Sequence, residues 1–284
     1  MPELPEVETI RRGLSERLLE RRAGRILRVK VFEPKTFLGR EEEITGREAK
    51  GLRRFGKALV VDLSGGRSLL IHLRMTGQLV WRGDDMFGGG HPNEDWLGEL
   101  PNKHTRVEIE FERGKLFFND QRKFGFIKVI STEEVEEDGF VRKLGKEPWE
   151  ITGEELYEKL QRRKGTAIKA VLLNQEVIAG LGNIYADEAL YFAGVSPMRK
   201  AGEVSRAEAE KLVEGARVVM ERSLESGGST IRNYVRSDGT RGNYLDLFAK
   251  VYGRGGEKCE KCGGEIKKVK VGGRGTHYCP RCQK

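Results

Sequence analysis

Two hydrophobic rhythms divide the chain. Between residues 25 and 130, apolar positions come in short runs or alternate with polar ones, and glycine-rich breaks separate the runs. This pattern is typical of β-strands joined by turns. The predicted strands cover residues 25–32, 58–63, 68–73, 77–81, 105–112, 115–118 and 124–130. Strands so close in sequence indicate an antiparallel sandwich or barrel. Residues 83–103 show no period and are expected to form a long surface loop.

Helical spacing dominates the rest of the chain. Val7, Ile10, Leu14 and Leu18 recur at three- and four-residue steps and predict an amino-terminal helix, which suits the early prolines and glutamates. Further helices are predicted at 153–163, 166–174, 183–193 and 205–226. We therefore expect an α+β multidomain protein. Its predicted parts are an antiparallel β-sandwich at 1–132, an acidic linker at 133–152, a helical domain at 153–248 and a cysteine-bearing tail at 249–284.

Charge is concentrated at the carboxyl end. The 284 residues carry 52 Lys and Arg against 44 Asp and Glu, a net charge of +8. Residues 250–284 hold ten basic and three acidic side chains, so 10 − 3 = +7 of the excess lies there. Such a distribution favours a polyanionic partner. Because the sequence has neither a run of 18 apolar residues nor an apolar signal-peptide core, we expect a cytoplasmic protein with no membrane partner.

All four cysteines lie in this tail, as Cys259-x2-Cys262 and Cys279-x2-Cys282. The spacing predicts one structural zinc ion held by four thiolates, with no open position for substrate. A disulfide pair or an empty site is the alternative, which a reducing compartment disfavours. Residues 268–279 between the pairs predict a two-stranded hairpin with Arg274 at its glycine-rich tip. That arginine is either a phosphate contact or a solvated side chain.

A second anion-binding feature is predicted at residues 180–183, Gly-Leu-Gly-Asn. Asn183 is expected to be the N-cap of a helix, with Asp187 and Glu188 close behind it. The unpaired N–H groups of such an end favour an anion, and Lys164 and Lys169 in the preceding helical region would add positive charge. The alternative is a well-capped helix that only packs.

Seven segments together resemble the formamidopyrimidine-DNA glycosylase family. They are PELPEVETIRRGL, HLRMTG, DQRKFG, GLGNIYADEAL, GGSTIRNYV, VYGR and GRGTHYCPRCQ, and they span residues 2–284 in the family's order. The resemblance implies a β-sandwich, a helix-two-turn-helix domain and a zinc finger, with damaged double-stranded DNA in the cleft between them. It also implies a monomeric, bifunctional DNA glycosylase and AP lyase of base-excision repair that removes oxidised purines.

The resemblance assigns the chemistry to Pro2. After loss of Met1, this secondary amine would attack C1′ of a damaged nucleotide and form a Schiff base, an electron sink that acidifies the 2′ hydrogens for strand elimination. Glu3 matches the proton donor to the ribose ring oxygen, a role that the adjacent Pro2 favours over the alternative of a first-turn helix glutamate. Lys57 matches a lysine assigned to β-elimination and phosphate binding, and Arg274 an arginine assigned to δ-elimination.

A base inside a duplex must leave the stack before Pro2 can reach its sugar. Met75, Arg122 and Phe124 match the side chains that fill the vacated space, whereas Met75 and Phe124 would otherwise belong to the sandwich core. The resemblance adds phosphate contacts and a lesion-covering loop at 227–247. The phosphate contacts are His72, His104, Lys164 and Asn183, and the lesion-reading residues are Ser229, Ile231, Arg232, Asn233 and Tyr234.

Two rival functions stay open from sequence. Endonuclease VIII shares the proline and the helical motif but prefers oxidised pyrimidines, whereas the opening PELPEVET and the long 227–247 loop favour the purine enzyme. The other rival is a zinc protein that binds lesions without catalysis.

Overall fold

The computed structural model describes residues 1–91, 98–227 and 244–284. Within them the chain forms two compact units. The first contains Met1–Arg142, and the second contains Lys143–Ser226 and Tyr244–Lys284. No helix in the described part of the chain is both long enough and apolar enough to cross a membrane.

The first unit contains two five-stranded sheets. Their strands are β1 Ile26–Val31, β2 Phe37–Leu38, β3 Ala49–Phe55, β4 Ala58–Leu63, β5 Arg67–His72, β6 Gly77–Gly83, β7 Met86–Gly90, β8 Thr105–Phe111, β9 Gly114–Asp120 and β10 Phe126–Ser131. One sheet has the order β1-β8-β9-β6-β7 and the other β2-β10-β5-β4-β3. Neighbouring strands are antiparallel except for β2 and β10. Apolar side chains of both sheets share one core, including Leu59, Ile71, Ile109 and Phe118, which confirms the predicted antiparallel sandwich.

Helix α1, Leu4–Ser15, continues as a π-helical turn at Glu16–Glu20. Its residues Val7, Ile10 and Leu14 lie in the sandwich core, as their spacing predicts. The helix contacts β3 and β7, which are edge strands of the two sheets. It therefore covers one edge strand of each sheet, which keeps another chain from pairing there.

Strand β7 replaces part of the loop predicted at 83–103. Its sequence Met-Phe-Gly-Gly-Gly lacks the β-branched residues that reveal strands, so the prediction was wrong for residues 86–90. The glycines have a packing role. A Cβ on Gly89 would lie 2.5 Å from Cγ1 of Ile10, and a Cβ on Gly13 would lie 2.2 Å from the Phe87 ring. Helix and strand are thus closer than larger residues permit.

The segment predicted as a linker at 133–152 has buried residues at both ends. Its first part packs in the first unit and its last part in the second. Val135 and Val141 are buried with Ala58, Val60 and Leu70 on the outer face of the second sheet. Ile151, further along the segment, is buried in the second unit. The acidic composition suggests a linker because most of its charges face solvent, but the few apolar residues between them find cores.

The second unit is helical with a carboxyl-terminal hairpin. Its elements are α2 Gly153–Gln161, α3 Ile168–Leu172, α4 Asn183–Ala193, α5 Arg206–Glu225, α6 Tyr244–Phe248, β11 Lys267–Val271 and β12 Arg274–Tyr278. Helices α2 and α5 begin with capping boxes, Thr152 with Glu155 and Ser205 with Glu208. Such boxes satisfy backbone N–H groups at a helix start. The four predicted helices are present, although α3 is only five residues long.

Candidate functional site

The chain is buried in the first unit from its second residue onward. Pro2 is buried beneath an exposed Met1, and Glu3 is only 2% exposed. Glu3 is the N-cap of α1, where it forms a reciprocal capping box with Glu6. The backbone N–H of Glu3 donates to Oε2 of Glu6 at 2.8 Å. Both the reactive residue proposed from sequence and its neighbouring carboxyl group therefore sit at the positive end of a 12-residue helix.

Ion pairs hold this helix on strand β3. Nε of Arg54 lies 3.2 Å from Oε2 of Glu8, and Arg11 and Arg12 bind the same carboxylate from within the helix. Burial alone would raise the pKa of Glu8, but the three arginines lower it to about 2. Glu8 is therefore charged at neutral pH and anchors α1.

Lys57 and His72 are neighbours in the second sheet. Lys57 is 5% exposed in the turn between β3 and β4, and the next residue, Ala58, pairs with His72 across β4 and β5. Burial, together with the charges of Arg74 and Lys57, lowers the pKa of His72 to about 3. Its Nδ1 accepts the backbone N–H of Arg74 at 3.0 Å. His72 is thus neutral, with Nδ1 as an acceptor and its proton on Nε2.

Two turns present the residues predicted to fill a vacated base position. Met75 lies half-buried in the turn between β5 and β6, and Arg122 and Phe124 lie exposed in the turn between β9 and β10. Phe124 is 55% exposed, so it does not belong to the sandwich core. The guanidinium of Arg122 stands 4.7 Å from the centre of the Phe124 ring. The pair forms a projecting, cationic and aromatic surface, which suits stacking on bases.

A buried carboxylate that sequence reasoning missed joins these turns. Asp120 is fully buried at the end of β9, where it accepts hydrogen bonds from the Thr76 hydroxyl and from the N–H groups of Arg122 and Gly125. Its own N–H donates to the carbonyl of His104 at 2.9 Å. The backbone of the half-buried His104 is therefore hydrogen-bonded to the backbone of Asp120. The only signal in the sequence is the Asp at the start of DQRKFG, which spacing alone does not mark as buried.

In the second unit, Asn183 is not the N-cap that the sequence predicts. Gly182 holds that position and Asn183 is the first helical residue. Its side-chain Nδ2 donates to the carbonyl of Gly275 at 3.0 Å, in the strand that begins with Arg274. The structure thus brings two predicted phosphate contacts, Asn183 and Arg274, next to each other.

The two lysines expected beside this helix start differ in environment. Lys164 is exposed, as a surface phosphate contact requires. Lys169 is fully buried and its Nζ lies 2.6 Å from Oδ1 of Asp187, so the expectation that it faces an anion was wrong. Its Nζ also donates to Thr276 Oγ1 at 2.8 Å. Lys169 therefore packs the hairpin onto the helices.

Asp187 and Glu188 hold the carboxyl-terminal tail in place. Oδ2 of Asp187 accepts the N–H of His277 at 2.8 Å. The Glu188 carboxylate accepts three successive backbone N–H groups, those of Lys250, Val251 and Tyr252, at 2.8–2.9 Å. The predicted hairpin is present, with Gly272 and Gly273 at positive φ in its turn and exposed Arg274 opening β12. Arg274 thus projects from a braced strand.

The four cysteines converge at the base of the hairpin. Their Sγ atoms all lie within 4.8 Å of one another, with Cys259 to Cys282 at 3.8 Å and Cys262 to Cys279 at 3.5 Å. A tetrahedral zinc ion with Zn–S bonds of about 2.3 Å separates its sulfurs by roughly 3.8 Å. The four thiolates fit one structural zinc ion.

The predicted lesion-reading residues lie outside the described part of the chain; they are Ser229, Ile231, Arg232, Asn233 and Tyr234.

Comparison with known proteins identifies the family. Residues 1–127 match the formamidopyrimidine-DNA glycosylase N-terminal domain, and residues 144–235 match the H2TH domain of the same glycosylase. Residues 256–284 match a zinc finger found in FPG and IleRS. The chain belongs to the formamidopyrimidine-DNA glycosylase family. Formamidopyrimidine-DNA glycosylases of Desulfitobacterium hafniense and Cereibacter sphaeroides are 40% and 41% identical to it, with 100% of each chain covered.

Solved formamidopyrimidine-DNA glycosylase structures have the same fold. A Lactococcus lactis variant bound to DNA containing Fapy-dG is 34% identical, with a TM-score of 0.86 and 100% of both chains covered. The Lactococcus lactis enzyme bound non-covalently to DNA with an AP site gives a TM-score of 0.85, with 99% of each chain covered. A MutM complex with DNA containing carbocyclic 8-oxo-G gives 0.84 at 34% identity. The sandwich, helical and zinc-finger organisation predicted from sequence is therefore that of the family.

Proposed function

We propose that the protein is a monomeric DNA glycosylase of base-excision repair that removes 8-oxoguanine and formamidopyrimidines from duplex DNA in the bacterial cytoplasm. We propose further that it cleaves the resulting abasic site as an AP lyase. The observation that carries the proposal is the pair Pro2 and Glu3, both buried at the start of α1 in a chain that matches this glycosylase family throughout its length. Relatives bound to Fapy-dG and AP-site DNA support the substrate class.

The proposed first step uses an uncharged Pro2 nitrogen after removal of Met1. The nitrogen forms a bond to C1′ and the bond from C1′ to the damaged base breaks. The base leaves with the bonding electrons and takes up the proton that the proline nitrogen releases. Glu3 protonates the ribose ring oxygen as the ring opens, which leaves an iminium cation between Pro2 and C1′. The positive end of α1 disfavours protonation of the proline nitrogen and so helps to keep it nucleophilic.

The proposed second step breaks the strand. The iminium withdraws electrons, so a 2′ hydrogen becomes acidic and its removal expels the 3′ phosphate by β-elimination. Lys57 is proposed for this step and Arg274 for the following δ-elimination. Met75, Arg122 and Phe124 would occupy the space of the everted nucleotide. The proposed phosphate contacts are His72, His104, Lys164 and Asn183. Ser229 and residues 231–234 would read the lesion.

Reductive trapping tests the proposal directly. Borohydride converts an iminium into a stable amine, so the wild-type protein should become covalently joined to an 8-oxoguanine duplex, with the DNA attached to the peptide that begins with Pro2. Mass spectrometry of that peptide also shows whether Met1 is absent. A cross-link on another residue would overturn the role of Pro2. Absence of both excision and cross-linking would favour a non-catalytic lesion-binding protein.

Substrate class separates the proposal from the sister enzyme. We expect release of 8-oxoguanine opposite cytosine to exceed release of thymine glycol from an otherwise identical duplex. Faster release of thymine glycol would assign the protein to the oxidised-pyrimidine enzymes. The match to the formamidopyrimidine-DNA glycosylase N-terminal domain over residues 1–127 favours the purine reading.

A further inference from the structure

We propose that Asp120 and Thr76 are positioning residues that couple the Met75 turn to the Arg122–Phe124 turn, so that these three side chains enter a duplex as one unit. The proposal rests on the proposed function, because it concerns how the enzyme holds DNA open while a base is outside the stack. It assigns a role to two buried residues that make no contact with DNA in the mechanism above.

The hydrogen bonds of the Asp120 carboxylate carry the argument. Oδ1 accepts the Thr76 hydroxyl and the Arg122 N–H, the latter at 3.1 Å, and Oδ2 accepts the Gly125 N–H at 2.7 Å. The Arg122 N–H is shared with Thr76 Oγ1 at 3.0 Å. Hydrogen bonds to an ionised carboxylate are stronger than neutral ones, and more so when buried. Neither turn can therefore move away from the other without losing them.

The main chain of Asp120 is itself fixed to the sheet. Its N–H donates to the His104 carbonyl at 2.9 Å, and its carbonyl accepts Nε of the buried Arg106 at 2.7 Å. The carboxylate is thus a rigid point at the end of β9. By contrast, Arg122 and Phe124 themselves are exposed. The arrangement holds the backbone of both turns while leaving their tips free to contact a ligand.

Backbone conformation gives an independent sign that the turns are held. Arg74 adopts a φ of 51° and Lys123 a φ of 58°, both in the left-handed region that residues other than glycine rarely occupy. One precedes Met75 and the other precedes Phe124. Such conformations persist only where surrounding contacts impose them, and they cluster at functional sites. The hydrogen bonds of Asp120 to the N–H groups of Arg122 and Gly125 flank Lys123, and the N–H of Arg74 donates to Nδ1 of His72.

The test uses Thr76→Val, which removes the hydroxyl and keeps the branched shape. We expect the single-turnover excision of 8-oxoguanine opposite cytosine to fall roughly tenfold, the effect of losing one hydrogen bond to a charged group. Cleavage of a preformed abasic site in the same duplex should change by less than about twofold, because that site has no damaged base to unstack. Thr76→Ser restores the hydroxyl and should return excision to within about twofold of wild type.

A matched control separates positioning from stability. Ser68 is also buried, and its hydroxyl donates to Oδ1 of Asp62 at 2.7 Å on the same unit, away from both turns. Ser68→Ala should not reproduce the selective loss of excision. 2-Aminopurine placed beside the lesion should report slower insertion in Thr76→Val alone.

Three results would overturn the coupling. The first is that Thr76→Val excises 8-oxoguanine at the wild-type rate, and the second is that it loses excision and abasic-site cleavage in equal proportion. The third is that Ser68→Ala shows the same selective loss of excision. Wild-type excision is measured first, so failure of the proposed function is recognised separately by its absence.

Discussion

Nζ of Lys169 lies 2.6 Å from Oδ1 of Asp187, and neither side chain is exposed to solvent. The pair joins α3 to α4, and both residues also bind the hairpin strand, through Thr276 and the N–H of His277. The sequence groups Lys169 with anion-binding bases, whereas the structure uses its charge internally. The consequence is that the strand beginning with Arg274 is held on the helical unit by a desolvated ion pair.

Breaking this pair should be costly. In Lys169→Met the Asp187 carboxylate stays buried without its cation, so we expect the free energy of unfolding to drop by about 3–5 kcal/mol. Lys164→Met, which removes an exposed lysine nearby in sequence, should change it by no more than about 0.5 kcal/mol. Urea unfolding of the holoprotein measures both. Equal effects would show that Lys169 contributes only as a surface charge.

Stability of the first unit should fall in mild acid because of His72. Its pKa is about 3 in the folded chain against an ordinary value of 6.5, so between these values the unfolded chain binds a proton that the folded chain does not. The contribution is complete above pH 6.5 and is lost as the pH falls towards 3. In His72→Asn, which keeps an acceptor for Arg74, the slope of unfolding free energy should decrease by up to about 1.4 kcal/mol per pH unit.

The comparison is made between the two proteins at each pH, because acid also weakens zinc thiolates in both of them. The predicted difference should be clearest between about pH 4 and about pH 6, the middle of the window. If the unfolding free energy of the two proteins has the same pH slope there, the imidazole of His72 is not neutral and buried.

Removing zinc should release the hairpin that carries Arg274. Structural zinc binding by thiolates contributes roughly 10–16 kcal/mol. The small core around Val251 and Ile266 and the hydrogen bonds from Lys169, Asp187 and Glu188 to the tail do not replace a contribution of that size. After treatment with a chelator we expect fast hydrogen exchange over residues 256–284, while β4 and β5 stay protected. Metal analysis should give one zinc per chain before treatment. Unchanged protection of β11 and β12 would rule out a structural metal.

Glu3 should be needed for base removal more than for Schiff-base formation at an existing abasic site. Glu3→Gln keeps the size of the side chain but removes the acid, so excision of 8-oxoguanine should slow by about 10²–10⁴-fold. Borohydride trapping on a preformed abasic site should continue. Glu6→Gln alters the other member of the capping box and serves as the control. An equally large loss in Glu6→Gln would mean that the helix start, and not the acid, is what matters.

Local chemistry explains what the sequence predicts well. The helices predicted at 153–163 and 205–226 begin at local capping boxes, and each C-x2-C pair spans four residues. These features depend on residues only a few positions apart, so they follow from spacing. The burial of Lys169 and Asp120 depends on partners far along the chain, for example Thr76, which lies 44 residues from Asp120. Strand β7 was not predicted for a related reason. Gly89 is required because α1 packs against the strand, and glycine gives no strand signal in the sequence.

The close packing of α1 on β7 makes the position of the proposed catalytic residues sensitive to changes in that strand. Pro2 lies 11 residues before Gly13, which is roughly 16 Å along the helix axis at about 1.5 Å per residue. A tilt of α1 by about 5° at Gly13 would therefore displace Pro2 by more than about 1 Å. Displacements of about that size can slow an enzyme a hundredfold. A bulkier side chain at Gly13 or Gly89 would therefore tilt α1 and displace the proposed nucleophile, Pro2, although the residue itself is unchanged.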